Sequence, residues 1–109
     1  MAGILHITTR AAWEQGVASG EYRSDSLRTE GFIHCSTKAQ IPGVVSRFFA
    51  GETDLVVLRI DEAAVAAPIR WEQARDASDT FPHIYGPLNR NAVIDVLTLE
   101  QVLSQKTDP

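Results

Sequence analysis

The sequence predicts a single α+β domain built on a split, largely antiparallel sheet of about five or six strands. Three observations carry that expectation. Short apolar segments alternate along the chain with a few capped helical stretches. One of them, Asp54 to Ile60, is nearly continuous apolar sequence, which marks a central strand covered on both faces. The 109 residues suffice to bury roughly two-thirds of the unfolded surface in one core, and are too few for a second domain. The domain is expected to span residues 1–109, with a core over about 3–104 and a frayed tail over 105–109.

In chain order, Ile4-Leu5-His6-Ile7-Thr8 reads as a strand, and Thr8 or Thr9 caps the helix that follows through Ala12, Trp13 and Val17 to Gly20. Ser24, Asp25 and Ser26 open a brief helix that Gly31 ends, and Phe32 to Ser36 is a second strand. Thr37 and Gln40 form a capping box, so a helix runs from there through Val44, Val45, Phe48 and Phe49 to Gly51, with Pro42 tolerated near its first turn. Asp54 to Ile60 is the central strand, and the alternation Ile69-Arg70-Trp71-Glu72 gives another. Gln73 to Thr80 is polar and reads as a loop. Phe81 to Pro87 is bracketed by two prolines, which deny it a central place in a sheet and make it an ordered loop. Ala92 to Leu97 is the last strand, and Thr98 with Gln101 caps a terminal helix.

Composition narrows the function. The formal net charge of -4 argues against the basic surface that binds a nucleic-acid backbone, so no nucleic-acid partner is expected. A single cysteine excludes an internal disulfide, and the absence of a signal-like apolar stretch points to the cytoplasm. No apolar run approaches the length of about 20 residues that a bilayer requires.

Strand alternation separates chemistry from core. Ile4, His6 and Thr8 share one face of the first strand, and Leu5 and Ile7 the other; Phe32, His34 and Ser36 share a face of the second, opposed by Ile33 and Cys35. Each strand thus delivers an imidazole and then a hydroxyl to one surface, and neighbouring strands would bring His6 and His34 together. The other reading makes each a hydrogen-bonded structural histidine. Leu5, Ile7, Ile33, Cys35, Val56, Leu58 and Ile60 are the expected core. Cys35 points away from His34, which opposes a metal site or an activated thiol, and no metal is expected. His83 and Tyr85 fall on one side of the proline-bracketed segment, where Tyr85 offers a flat ring for stacking; the other reading folds the segment over the core through Phe81, Ile84 and Tyr85. Glu72 is the carboxylate singled out, because it sits inside a predicted strand; the other reading makes it an ordinary surface acid. Arg10, Arg23 and Arg28 are either phosphate ligands or solvated helix residues.

The words Leu5-His6-Ile7-Thr8, Gly31-Phe32-Ile33-His34-Cys35-Ser36-Thr37, Arg47-Phe48-Phe49-Ala50-Gly51 and Phe81-Pro82-His83-Ile84-Tyr85-Gly86-Pro87-Leu88 together resemble domain-of-unknown-function family nine-five-two. The resemblance runs from Leu5 to about Leu99 and implies an ADP-ribosyltransferase-like fold, whose two small sheets form a cleft for NAD. More distantly, His6 with Thr8 and His34 with Ser36 are similar to two core words of the RNA 2'-phosphotransferases. Ile7 stands here in place of a glycine in the first of those words, and no basic motif for RNA phosphate is matched, so RNA repair does not carry over.

What the resemblance implies is an NAD- or ADP-ribose-binding domain that transfers or releases ADP-ribose. In it His6, Thr8, Ser36, His83 and Tyr85 bind the cofactor, with His6 and Ser36 on ribose and Tyr85 stacking. His34 and Glu72 are the catalytic candidates, His34 contacting ribose or a diphosphate oxygen and Glu72 stabilising positive charge at the ribosyl carbon or orienting an acceptor. The alternatives are a non-catalytic pocket for a small nucleotide and a protein-interaction module. On the first two readings His6, His34 and His83, each with its hydroxyl partner, line one pocket with Glu72 at its edge.

Overall fold

Thr9 ends one element and starts the next. It closes strand β1 (Gly3–Thr9), and its side chain accepts a hydrogen bond from the Ala12 amide at 3.1 Å, capping helix α1 (Arg10–Ser19). The structure is a computed structural model that describes residues 3–73 and 79–104. Gly20, at φ 96°, takes the left-handed conformation that ends α1, and its amide donates to the carbonyls of Gly16 and Val17. Strand β2 (Glu21–Tyr22), helix α2 (Asp25–Glu30) and strand β3 (Ile33–His34) follow.

The Thr37–Gln40 capping box is present, with the Thr37 amide donating to Gln40 Oε1 at 2.9 Å. It opens a single 3-10 turn that runs into helix α3 (Ile41–Phe48), where Pro42 occupies the first turn. Strands β4 (Leu55–Asp61), β5 (Ile69–Gln73), β6 (Thr80–Ile84), β7 (Leu88–Asn89) and β8 (Val93–Thr98) lead to helix α4 (Leu99–Ser104). Reciprocal bonds between Thr98 and Gln101 cap that last helix.

The strands form three antiparallel sheets ordered β1-β4-β8, β2-β7 and β3-β6-β5. β4 is central to the first, as its apolar run requires, with His6 and Val96 opposite Leu58. The first and third sheets meet at a seam. There the Leu5 amide donates to the Ser36 carbonyl at 2.8 Å, and the Ser36 amide donates to Leu5 at 2.7 Å.

Within the sheet β1-β4-β8, strands β1 and β4 are covered on both faces, while β8 leaves Ile94 and Val96 exposed. On one side Leu5, Ile7, Leu55 and Val57 pack against Ile41 of α3 and Val102 of α4. On the other, Ile4, Val56, Leu58 and Ile60 meet Tyr22, Ile33, Cys35 and Ile84, with Trp13 of α1 and Leu27 of α2 closing the layer. All seven expected core residues are buried. The chain is thus one α+β domain with antiparallel sheets and few short helices, and no helix among the described residues is long and apolar enough to cross a membrane.

Three expectations need correction. Phe81 to Pro87 is not a loop throughout: Thr80–Ile84 is the central strand of the third sheet. Pro82 is tolerated there because its carbonyl accepts from the Cys35 amide at 3.0 Å, so the position lacking an N–H faces the seam just past the end of β3 and away from the ladder with β5. The strand expected over Phe32 to Ser36 shortens to Ile33–His34, because past the Cys35 amide the chain leaves β6 and Ser36 bridges to Leu5 at the seam. The strands number eight among the described residues, since β2 and β7 are two-residue pairs too short to leave a periodic signal. The loop expected from Gln73 to Thr80 falls mostly outside the described residues, as does the frayed tail.

Candidate functional site

Among the described residues, the third sheet is covered on one face only. Ile33, Cys35, Pro82 and Ile84 point into the core, so alternation turns Phe32, His34, His83, Tyr85, Arg70 and Glu72 to the other side. Register sets His34 and Arg70 on either side of His83. The result is a half-open surface of rings and charges.

Phe32 is its hub. Its ring stacks on His83 at 4.1 Å between centroids with an interplanar angle of 18°, meets His34 edge-on at 4.7 Å and lies 5.3 Å from Tyr85. His34 and His83 are themselves 5.4 Å apart, edge to face. Glu72 Oε1 accepts from His83 Nδ1 at 2.8 Å and from the Tyr85 hydroxyl at 2.5 Å. Because a carboxylate only accepts, Nδ1 carries the proton, and a neutral His83 keeps its lone pair on Nε2. The Tyr85 hydroxyl, and after it His83, hold the Glu72 carboxyl below its ordinary range, and the same carboxylate raises the Tyr85 phenol. Arg70 lies over the Tyr85 ring at 5.3 Å, and Glu30 Oε2 is 3.1 Å from His34 Nε2.

His6 and Thr8 stand elsewhere. His6 projects from β1 into the core beside Tyr22, where burial pushes its pKa down to about 4 and leaves the ring neutral at pH 7. Its Nδ1–H donates to the His34 carbonyl at 2.5 Å, and its Nε2 is 2.8 Å from the Tyr22 hydroxyl. Thr8 Oγ1 lies 2.9 Å from that hydroxyl, whose own pKa burial lifts to about 12. Ser36 is buried at the seam, its backbone paired with Leu5.

The expected pocket therefore divides. His34, His83, Tyr85 and Glu72 come together on the outer face, whereas His6 and Thr8 form an internal chain that reaches the site only through the main chain of His34. Alternation separates the two faces of each strand correctly, but the seam sets Leu5 opposite Ser36, which brings His6 into phase with Cys35 and the core and not with His34. Cys35 is buried away from His34, and burial raises its thiol so that it stays protonated. Arg10 and Arg23 hold Asp54 and Glu21 in surface ion pairs at 3.1 and 3.0 Å, and Arg28 is exposed on α2. A broad depression of about 450 Å³ lined by Gly20, Asn89, Arg90 and Asn91 includes none of these site residues. Among the described residues no group of three or more His, Cys, Asp or Glu side chains is placed to hold a metal ion.

The sequence reading gave no role to Phe32, Arg70 or Glu30. Phe32 and Arg70 each lie two residues from a singled-out residue, His34 and Glu72, and that same-face spacing was the available signal. Glu30 lies four residues before His34, across the end of α2, and local spacing does not report a contact made around a helix terminus.

Similar structures are known. The crystal structure of protein CC0527 from Caulobacter crescentus superposes with a TM-score of 0.78 at 30% identity, covering 86% of this chain and 82% of that one. The solution NMR structure of CC0527 gives 0.77 at 31% identity, covering 91% and 85%. Curated protein sequences give no match. A family profile matches residues 7–96, from the last part of β1 through the third sheet, and the chain belongs to the family described as Protein of unknown function (DUF952).

Proposed function

We propose that this is an ADP-ribosyltransferase-like domain whose outer sheet face binds NAD or ADP-ribose and transfers or releases ADP-ribose. The observation that carries the reading is the Glu72 carboxylate, oriented by two donors and kept ionised beside aromatic rings and a guanidinium. That donor set fits a dinucleotide, which needs a flat surface for a base, a cation for the diphosphate and a carboxylate near the ribosyl carbon. Phe32 and Tyr85 provide the rings and Arg70 the cation. NAD supplies a ribosyl carbon that becomes electron-poor as nicotinamide departs. Glu72 stabilises that charge electrostatically, and His34, exposed at the same face, orients a ribose hydroxyl or a diphosphate oxygen.

Calorimetry with ADP-ribose and NAD tests binding, and a nicotinamide-release assay tests turnover. Tyr85→Ala is expected to weaken binding. Glu72→Gln is expected to keep affinity and lose turnover by about 100-fold, since it removes a charge needed only as the reaction proceeds. Heat without nicotinamide release would leave a non-catalytic nucleotide site, and no heat with either compound would favour an interaction module.

A further inference from the structure

The segment that carries Phe32 and His34 has little sheet to hold it. β3 is two residues long, and its link to β6 ends with the Cys35 amide on the Pro82 carbonyl. On the β1 side, the Leu5–Ser36 bridge lies two residues past His34. The carbonyl of His34 itself is taken by a side chain, the Nδ1–H of His6 at 2.5 Å. That imidazole is in turn set by the Tyr22 hydroxyl at 2.8 Å, and Tyr22 is among the most deeply buried large residues of the core.

We infer that His6 is a positioning residue for the candidate site: through the His34 carbonyl it fixes the segment that turns Phe32 and His34 outward onto His83. The inference rests on the reading that this outer face receives the ligand. A continuous line runs from the core through Tyr22 and the His6 ring to the His34 main chain, and from there to rings in van der Waals contact. Removing the donor leaves a partly buried carbonyl unpaired beside the shortest strand of the site sheet, so the segment shifts to find water or another partner. The two histidines then act on opposite sides of one peptide unit, His34 outward and His6 as its internal anchor.

Two amide variants separate positioning from bulk stability. The amide nitrogen of His6→Asn falls where Nδ1 lies and keeps the donor. His6→Gln places its amide nearer the Nε2 position and loses it. The readout is the NMR signal of the His83 ring protons in the ligand-free protein, which the Phe32 stack displaces upfield. His6→Gln is expected to lose that displacement and to bind ADP-ribose about tenfold more weakly, whereas His6→Asn, which keeps the donor but not the bond to Tyr22, retains most of both. Wild-type His83 signals in His6→Gln overturn the inference, as does their equal loss in His6→Asn. Should His6→Gln fail to fold, Tyr22→Phe decides: a partial loss of the displacement supports the anchor, and unchanged His83 signals refute it. If wild-type protein does not bind ADP-ribose, the functional reading fails, while the ring signals still decide the role of His6.

Discussion

His6 and His34 share one hydrogen bond and have opposite surroundings, which gives each a distinct chemistry. The His34 side chain is 52% exposed and able to meet a ligand, while the His6 ring is buried and uncharged. Burial also makes His6 a cause of acid sensitivity. Its pKa falls from 6.5 to about 4 on folding, so between those values the unfolded chain binds more protons than the native one. Stability is therefore lost as pH falls through that window, by about 3 kcal/mol in total, and this residue adds no further loss below it. Urea melts from pH 7 to pH 4 are expected to show this slope in the wild type and a shallower one in His6→Asn, which has no ring to protonate. Equal slopes would mean that another group titrates. In the sequence, the His-gap-hydroxyl pattern at His6 and His34 was visible, and so was the choice between site and structure. Resolving that choice required knowing that Tyr22, sixteen residues away, closes over His6.

Elements with local signals were legible, and those defined by partners were not. The caps at Thr9, Thr37 and Thr98 use side-chain oxygens on nearby amides, so sequence spacing alone reveals them. β6 was misread because a proline argues against a central strand until the length and position of its neighbour are known. Gly16 and Gly43 make the same point as a testable pair. Both lie in helices, where alanine is intrinsically better by about 1 kcal/mol. A Cβ on Gly43 of α3 would meet nothing within 4 Å, so Gly43→Ala is expected to stabilise by up to that amount. On Gly16 of α1 a Cβ would come 2.9 Å from Tyr22 Cα and 3.0 Å from its Cβ, and neither atom can move without shifting β2. Gly16→Ala is expected to destabilise by about 1–3 kcal/mol in spite of helix propensity. Denaturation midpoints moving in the same direction for both variants would refute the packing argument.

At the scale of the molecule, β4 joins the two apolar layers. Val57 faces the layer under α3 and α4, and Leu58, next in sequence, faces the layer shared with the site sheet. The radius of gyration of 13.0 Å is that of a single domain of this length, about 13 Å. The site sheet is tied to the first sheet by the Leu5–Ser36 bridge and the His6–His34 bond, and its buried Ile33, Cys35 and Ile84 belong to the layer shared with β4, so it has no core of its own with which to fold apart. One cooperative transition is therefore expected. Trp13→Phe leaves Trp71 of β5 as a reporter on the site sheet, and Trp71→Phe leaves Trp13 of α1 as a reporter on the shared layer. Urea unfolding followed by either tryptophan is expected to coincide with the loss of backbone circular dichroism in the same variant. Leu58→Ala is expected to cost about 2–5 kcal/mol. The decisive variant is Val57→Ala, which opens a cavity on the far side of β4 from the site. If the layers are coupled, it lowers the Trp71-monitored midpoint of the Trp13→Phe background as much as the circular-dichroism midpoint. A Trp71 midpoint that stays fixed while circular dichroism shifts would show that the site sheet unfolds independently, and that β4 does not unite the fold.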